Sequence, residues 1–188
     1  MIGDHYGKVS MSHLQQHEFI ISVKQKYPEY FENKIVLEVG SHNINGSIRP
    51  HFNNCAYIGL DAGPGKDVDV ISLAHEYNLP DKTFDTIVSC EMFEHDQYWE
   101  KSFANMIRLC KNQGLIMFSC ATTGRKIHGT LYNEPHSSPN TVDLGWEYYR
   151  NLTEQDFKNK FNFDDLFNEY EFKVNRYVFD LYFWGIKK

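Results

Sequence analysis

Two short stretches decide the fold expected for this chain: Ile35-Val-Leu-Glu-Val-Gly40 and Tyr57-Ile-Gly-Leu-Asp61. The first is typical of a buried strand that runs into a glycine, and the second of an apolar strand that ends in a carboxylate. In an open α/β sheet, ligands bind outside the carboxyl ends of the strands, where the strand order reverses. A glycine turn there lets the backbone approach the ligand, and an acid about 20 residues later binds ribose hydroxyls. The two stretches therefore favour a ribose-containing cofactor.

Strands and helices alternate around these two stretches. Further strands are expected at 67–71, 84–89 and 115–120, and helices at 12–26, from about residue 46, and from a cap at Asp96 to a glycine stop at 112–114. An approximate capping box at Thr153–Asp156 begins another helix. Two tightly joined strands, 171–177 and 179–186, predict an antiparallel pair at a sheet edge. This alternation favours a doubly wound, mostly parallel sheet with right-handed connections.

The bulk composition fits one soluble domain of 188 residues, since 41% of the residues are hydrophobic. No apolar run approaches the roughly 18–20 residues that cross a bilayer, and the N-terminus has no signal-peptide pattern. Four cysteines without CxxC spacing, at 55, 90, 110 and 120, favour reduced thiols over a disulfide framework or a zinc site. We therefore expect a cytoplasmic protein without membrane partners.

The charge and the aromatic content restrict the partners further. The net charge is −6 and no basic block is present, which disfavours nucleic acid as a partner. Aromatic residues make up 15% of the chain and increase in density towards the C-terminus. This pattern favours an aromatic-rich core over a ring-stacking substrate site.

Residues 121–151 interrupt the alternation of strands and helices. The turn pairs Thr123-Gly124, His128-Gly129 and Ser138-Pro139 fall here without helical or strand periodicity. A loop this long inside a compact domain is usually functional or disordered. We expect a single domain, 1–188, with an N-terminal helical segment at 1–34 and a substrate-side loop insertion at 122–151.

The loop after the first strand, Glu38-Val-Gly-Ser-His-Asn-Ile-Asn-Gly46, lacks the full GxGxxG pattern of dinucleotide sites. A nicotinamide cofactor is therefore less favoured. A carboxylate and two glycines that bracket a polar turn suit a ligand with an amino-acid end. S-adenosylmethionine has such an end together with a ribose and an adenine.

Several motifs, in order, resemble those of class I S-adenosylmethionine-dependent methyltransferases of the type 11 group. They are Leu37-Glu-Val-Gly-Ser41 with Asn45-Gly-Ser47, Tyr57-Ile-Gly-Leu-Asp61 with Gly63-Pro-Gly65, Leu79-Pro80 with Phe84-Asp85, Glu91-Met-Phe-Glu-His95, and Asn105-Met106 with Arg108-Leu109 and Gly114-Leu115. The resemblance covers residues 35–120. It implies a Rossmann-like seven-stranded sheet, mostly parallel with an antiparallel C-terminal strand, and S-adenosylmethionine as cofactor.

The resemblance also implies roles for individual residues. Glu38, Gly40, Ser41 and Gly46 would line the methionyl end, Asp61 would bind the ribose hydroxyls, Ala74 and His75 would approach the adenine, and Cys90 and Glu91 would lie beside the sulfonium. Leu73 departs from the pattern, because many relatives carry an acid at this position. Backbone groups would then recognise the adenine in place of a side-chain carboxylate.

The acceptor side is predicted from two later segments, Ala121-Thr-Thr-Gly-Arg125 with His128-Gly-Thr130, and 146–154. They resemble a smaller branch of these enzymes that is linked to surface-glycan genes. This favours O- or N-methylation of a small-molecule or glycan-precursor acceptor. The residues expected to contact the acceptor are Arg125, His136, Tyr149 and Arg150.

A base is needed only where the acceptor carries a proton that must leave. His128, or less strongly His95, is the expected base, although His95 also fits a purely structural hydrogen-bonding role. Glu91 and His95 alone do not predict a metal site, because no third convergent ligand is visible. Two other functions remain open: a non-catalytic adenosyl-ligand or partner-binding protein of the same fold, and, less favoured, an NAD-dependent oxidoreductase.

Overall fold

The computed structural model describes the backbone of residues 11–188 and the side chains from Leu14 onward. Within this part of the chain, seven strands form one sheet in the order β3-β2-β1-β4-β5-β7-β6. The strands are β1 Ile35–Val39, β2 Ala56–Asp61, β3 Val70–Ile71, β4 Phe84–Cys90, β5 Cys110–Ala121, β6 Phe167–Asn175 and β7 Asp180–Lys187. The first five strands are parallel, and β7 runs antiparallel to both of its neighbours. The predicted Rossmann-like sheet is confirmed.

One helix precedes the first strand, and the others lie between and after the strands. They are α1 Met11–Lys26, α2 Trp99–Leu109, α3 Pro139–Asp143, α4 Glu154–Lys158 and α5 Phe163–Leu166, with 3₁₀ turns at Pro28–Phe31, Arg49–His51 and Pro135–Ser137. Where a helix was expected after residue 46, only the turn at Arg49–His51 forms. Among the described helices, none combines the length and apolarity that crossing a bilayer requires.

The sheet order reverses beside β1, and this reversal creates the ligand-binding edge. β1 pairs with β2 on one side and with β4 on the other. Val39, at the end of β1, lies opposite both Leu60 and Ser89. The carboxyl ends of three parallel strands therefore meet at one edge, where open α/β sheets bind ligands.

Two hydrophobic clusters fill the two faces of the sheet. On one face, Phe103 of α2 packs among the rings of Phe118, Phe157 and Phe183. On the other face, α1 packs against β7, with the ring of Phe19 stacked on Tyr182 at 4.8 Å. The expected aromatic-rich core is confirmed.

The boundaries of α2 differ from those predicted. The helix begins at Trp99, and Asp96 instead accepts a hydrogen bond from the Tyr98 backbone N–H at 2.7 Å. It ends at Leu109 without a glycine stop, and Gln113 has the positive φ of 60°. Gly114 serves close packing: a Cβ there would lie 2.6 Å from Cys110 Sγ in the same strand and 2.9 Å from the Asp85 carbonyl oxygen in β4. The glycine marks a tight contact between strands and not the end of a helix.

The C-terminal third matches its prediction more closely. Thr153 and Asp156 form a complete capping box at the start of α4. The last two strands form the expected antiparallel pair, although β6 begins at Phe167, earlier than predicted. The helix predicted at 12–26 forms as α1, and the side chain of Ser12, a plausible cap residue at its predicted start, lies outside the described residues.

Candidate cofactor and acceptor site

A cavity of about 460 Å³ opens at the carboxyl ends of β1, β2 and β4. Its size falls within the range of small-molecule sites. The nine residues predicted to contact a cofactor all line it: Glu38, Gly40, Ser41, Gly46, Asp61, Ala74, His75, Cys90 and Glu91. The loop insertion covers it with residues 125–128, 134, 137–141 and 146. One cavity thus joins the predicted cofactor residues to the predicted substrate side.

The floor of the cavity requires a glycine at position 40. Gly40 has φ +79°, and a Cβ there would lie 2.7 Å from the Cβ of Met92. Its N–H donates to the Leu60 carbonyl at 2.8 Å, which holds the turn against β2. The backbone therefore faces the cavity without a side chain, as a ligand approaching the backbone requires.

Glu38 supplies a buried carboxylate beside this turn. It is 5% exposed and accepts a hydrogen bond of 2.9 Å from the Tyr57 hydroxyl. Burial raises the pKa of Glu38 to about 7, opposed by the Tyr57 hydrogen bond and by the charge of Arg49. The buried hydroxyl of Ser41 has no hydrogen-bond partner. A carboxylate and an unsatisfied hydroxyl fit the ammonium and carboxylate of an amino-acid ligand.

Asp61, at the end of β2, is held by two donors. Its carboxylate accepts from the His42 backbone N–H at 3.0 Å and from the Asn140 side-chain amide at 2.7 Å. Gly63 is needed next to it, because a Cβ there would lie 2.7 Å from Asn140 Oδ1. The loop insertion therefore reaches the acid that was predicted to bind ribose.

An aromatic group lies at the β3 side of the cavity. The His75 ring is 4.4 Å from the Tyr98 ring, and the Tyr98 ring is 5.6 Å from that of Trp146. The Nδ1 atom of His75 is buried without a hydrogen-bond partner. Leu73 lines the cavity and presents no acid, but Asp96 also lines it. Sequence reasoning treated Asp96 only as a helix cap and so missed a carboxylate in the cavity wall.

Arg125 lines the cavity but is bound to internal carboxylates. It donates to Asp180 at 2.8 Å and to the Val178 carbonyl at 2.6 Å, and it lies 3.9 Å from Glu91. Burial and the negative charge of Glu91 raise the pKa of the fully buried Asp180 to about 8, although Arg125 opposes the shift. Arg125 therefore lines the cavity and also forms a structural ion pair with Asp180.

The side chains of His95 and His128 lie close together in the lining of the cavity. Their rings are 4.9 Å apart, and the ring of Tyr149 lies within 5.5 Å of both. Burial, together with the charges of His128 and Arg125, lowers the pKa of His95 to about 3, so its imidazole is neutral near pH 7. The Nδ1 atom of His128 lies 2.9 Å from the carbonyl oxygen of Lys126.

Glu94 lies behind these rings. It is fully buried, and neither carboxylate oxygen has a hydrogen-bond partner of ordinary geometry. Burial raises its pKa well above the usual range, and the negative charge of Glu91 adds to the shift. The sequence prediction weighed Glu91 and His95 as ligands and gave no role to Glu94, because a buried carboxylate cannot be told from an exposed one by its neighbours in sequence.

Three predicted acceptor residues lie outside the cavity lining. Arg150 pairs with Asp156 at 2.5 Å, and its backbone N–H donates to the Glu94 carbonyl. His136 is exposed in the 3₁₀ turn Pro135–Ser137, although Ser137 itself lines the cavity. Tyr149 contacts the two histidines, and its buried hydroxyl has no hydrogen-bond partner.

Known proteins resemble this chain in part of its sequence and in its fold. Residues 53–118, about a third of the chain, match the family model described as a methyltransferase domain. No curated protein sequence matches the chain. Many of the solved structures that it resembles are class I S-adenosylmethionine-dependent methyltransferases.

Three solved structures illustrate the likeness. A 1,6-didemethyltoxoflavin-N1-methyltransferase from Burkholderia thailandensis, solved with S-adenosylhomocysteine, has a TM-score of 0.60 at 10% identity, over 100% of this chain and 93% of that one. A S-adenosylmethionine-dependent methyltransferase from Thermotoga maritima has a TM-score of 0.55 at 13% identity, over 93% of each chain. A phosphoethanolamine N-methyltransferase from Haemonchus contortus, solved with S-adenosylmethionine, has a TM-score of 0.60 at 12% identity, over 90% of this chain and 52% of that one. The chain thus has the fold of the class I S-adenosylmethionine-dependent methyltransferases, and its residues 53–118 match a methyltransferase domain.

Proposed function

We propose that this protein is an S-adenosylmethionine-dependent methyltransferase that methylates an oxygen or nitrogen of a small or sugar-like acceptor. One observation carries the proposal: the nine residues predicted to bind the cofactor, spread over residues 38–91, line a single cavity at the reversal point of the sheet. Structural relatives solved with S-adenosylmethionine or S-adenosylhomocysteine support the choice of cofactor.

The donor groups of the cavity fit the parts of this cofactor. Glu38 and Ser41 would bind the methionyl end over the backbone of Gly40 and Gly46, and Asp61 would accept the ribose hydroxyls. Ala74 and His75 would lie by the adenine, and Cys90 and Glu91 by the sulfonium. The bound cofactor supplies a methyl group that is already activated on sulfur. The protein must then hold the acceptor in line with it, and alignment alone lowers the barrier substantially.

The acceptor would bind under the loop insertion at residues 122–151. Arg125 and Tyr149 border the histidine pair, and Arg150 and His136 lie farther out on the same loop. Where the acceptor is protonated, we propose His128 as the proton acceptor, with His95 as the less favoured choice. If the proton on His128 sits on Nδ1, directed at the Lys126 carbonyl, Nε2 keeps its lone pair for this role.

Two other functions make different predictions. A non-catalytic relative would bind the adenosyl ligand but methylate no acceptor. An NAD-dependent oxidoreductase is disfavoured, because the strand-one loop lacks GxGxxG and the sheet ends in an antiparallel strand.

Calorimetric titration of the full chain with S-adenosylmethionine, S-adenosylhomocysteine and NAD tests the proposal. We expect micromolar binding of the two adenosyl sulfur compounds, lost in Asp61→Ala and kept in Asp143→Ala, an exposed acid of the same loop insertion. Binding of NAD alone would move the chain to the oxidoreductases. Binding of no ligand would overturn the proposal. An acceptor screen with labelled cofactor then separates an enzyme from a non-catalytic relative.

A further inference from the structure

Glu94, His95 and His128 form a compact group of metal-binding side chains. One ligand atom from each lies within 4.8 Å of the other two. Two imidazoles and one carboxylate are a common donor set for zinc and other first-row transition metals. Glu94 and His95 lie in the turn between β4 and α2, and His128 comes from the loop insertion 33 residues later. Only the folded chain brings the three together.

The Glu94 carboxyl is buried without a cation from the described part of the chain beside it. Both oxygens of Glu94 and the Nδ1 atom of His95 are buried without an ordinary hydrogen-bond partner. The carboxylates of Glu91 and Asp180 act on Glu94 electrostatically, while Arg125 is already paired with both of them. Among the described residues, no lysine or arginine forms an ion pair with Glu94. An ionised carboxylate at this buried position costs several kcal/mol in order of magnitude without a cation, and a bound metal ion would offset that cost.

The surroundings of the two histidines resemble those of metal ligands. The second ring nitrogen of a ligating histidine usually donates to a carbonyl or a carboxylate. Nδ1 of His128 lies 2.9 Å from the Lys126 carbonyl, as that arrangement requires. Gly129 packs against the His95 ring, because a Cβ there would lie 2.5 Å from His95 Cε1. Close packing therefore holds the buried His95 ring in place, and the His128 ring beside it is half-buried.

We propose that Glu94, His95 and His128 bind one divalent transition-metal ion, with zinc as the ion that best suits the donor set. Tetrahedral ligands at about 2.0–2.1 Å from zinc lie about 3.4 Å apart, and the ligand atoms here lie within 4.8 Å of one another, so they must approach by up to about 1.4 Å. Three protein ligands leave one coordination position open. His95 and His128 line the cavity, so this open position would face the acceptor.

The consequence for the reaction rests on the proposed function. A metal ion would bind an acceptor oxygen and lower its pKa, so that an alcohol could release its proton to water before its oxygen takes the methyl group. In the metal-bound protein the Nε2 lone pair of His128 would bind the metal ion, so it could not accept the proton of the acceptor. His128 would serve as a base in the metal-free protein and as a ligand in the metal-bound protein.

The test is calorimetric titration of the full metal-stripped chain with zinc chloride, paralleled by cobalt(II) absorption. We expect one ion per chain, with cobalt bands typical of a four-coordinate site. Glu94→Gln and His128→Ala should each weaken zinc binding by more than the roughly 10–100-fold that changes around a metal site cost. His136→Ala, an exposed histidine of the same loop outside the group, should leave the affinity for zinc unchanged.

Two results would overturn the proposed metal site. They are the absence of zinc binding to the wild-type chain, and zinc binding that is undiminished in both Glu94→Gln and His128→Ala. His128 is half-buried, so its removal tests the site even if the Glu94 variant does not fold. S-adenosylhomocysteine binding is measured on the same metal-stripped sample. A chain that binds S-adenosylhomocysteine but not zinc contradicts only the metal site, and one that binds zinc but not S-adenosylhomocysteine contradicts only the proposed cofactor.

Discussion

The side-chain amide of Asn140 donates a 2.7 Å hydrogen bond to the carboxylate of Asp61. The two residues are 79 positions apart, one in the loop insertion and the other at the end of β2. The contact closes α3 over the cavity, since residues 137–141 all line it. The carboxylate of Asp61 therefore holds the loop insertion closed and is also the group that we propose to bind the ligand in the cavity.

Replacing Asn140 by Ala should weaken S-adenosylhomocysteine binding about tenfold or more, because a hydrogen bond to a charged group contributes about 1.5–3 kcal/mol. Calorimetry gives the affinity, and stopped-flow dilution should show faster release from the opened loop. Asn133→Ala, another asparagine of the insertion that lies outside the cavity, is the control. Tighter binding in Asn140→Ala would mean instead that the amide competes with the ligand for Asp61.

Replacing Gly40 by Ala should lower the free energy of unfolding by about 2–4 kcal/mol, from the positive φ and from the close contact with Met92. Urea denaturation measures the loss. Gly145→Ala is a matched control, because Gly145 has a similar φ of +73° and nothing within 4 Å of its added Cβ. Equal losses in the two variants would show that the contact with Met92 contributes nothing.

Glu38 should make the ligand-free protein less stable as the pH rises. Its pKa is about 7 in the folded chain against 4.5 for the free side chain, so the folded state binds the proton more tightly. The Glu38 contribution to folding is therefore most favourable below pH 4.5. It is lost progressively between pH 4.5 and 7, by about 3 kcal/mol in total.

Glu38→Gln should remove this pH dependence. The variant should unfold at higher urea concentration than the wild type at pH 8 and at a similar concentration at pH 4.5. Glu18→Gln, an exposed glutamate on α1, controls for the loss of one charge. If the difference between Glu38→Gln and wild type is the same at both pH values, Glu38 does not titrate in this range.

At pH 9, above the pKa of about 8 of Asp180, Arg125→Met should destabilise the chain by about 3–5 kcal/mol, because it leaves the fully buried Asp180 carboxylate without its cation. Adding Asp180→Asn should restore much of the loss by removing the buried charge. Chemical denaturation of the two single variants and the double variant gives the coupling between the residues. Purely additive effects would contradict a structural role for this ion pair.

His128→Ala should lower turnover of a hydroxyl acceptor about 10²–10⁴-fold, the usual contribution of a positioned base. Affinity for S-adenosylhomocysteine should stay within a few-fold of wild type, because the proposed contacts to it come from other residues. Labelled-methyl transfer to an acceptor from the screen measures the first effect, and calorimetry the second. Unchanged turnover would remove His128 from the reaction.

The local pattern of the chain was sufficient to predict most of the sheet. Buried parallel strands are near-continuous apolar runs, so β1, β2 and β4 were identified from their composition. The predicted helix boundaries were less accurate. Asp96 and Gly114 are residue types that typically cap helices, but here Asp96 lines the cavity and Gly114 allows a close contact between strands. The helix expected after residue 46 was wrong, since only the short turn Arg49–His51 forms there.

The cofactor side of the cavity was also predictable from sequence, for a physical reason. Its residues follow directly on strands whose ends meet at one edge, so position along the chain determines position in space. Glu38, Gly40 and Asp61 are of this kind. What only the tertiary structure decided is where the long insertion folds back.

No local pattern predicts that Asn140 reaches Asp61, or that His128 meets Glu94 and His95. These contacts depend on the path of an irregular segment, which packing and burial across the whole domain determine. The sequence by itself thus determined the sheet and the cofactor edge. The tertiary structure decided which charges are buried without partners, and therefore where a proton or a metal ion would be held.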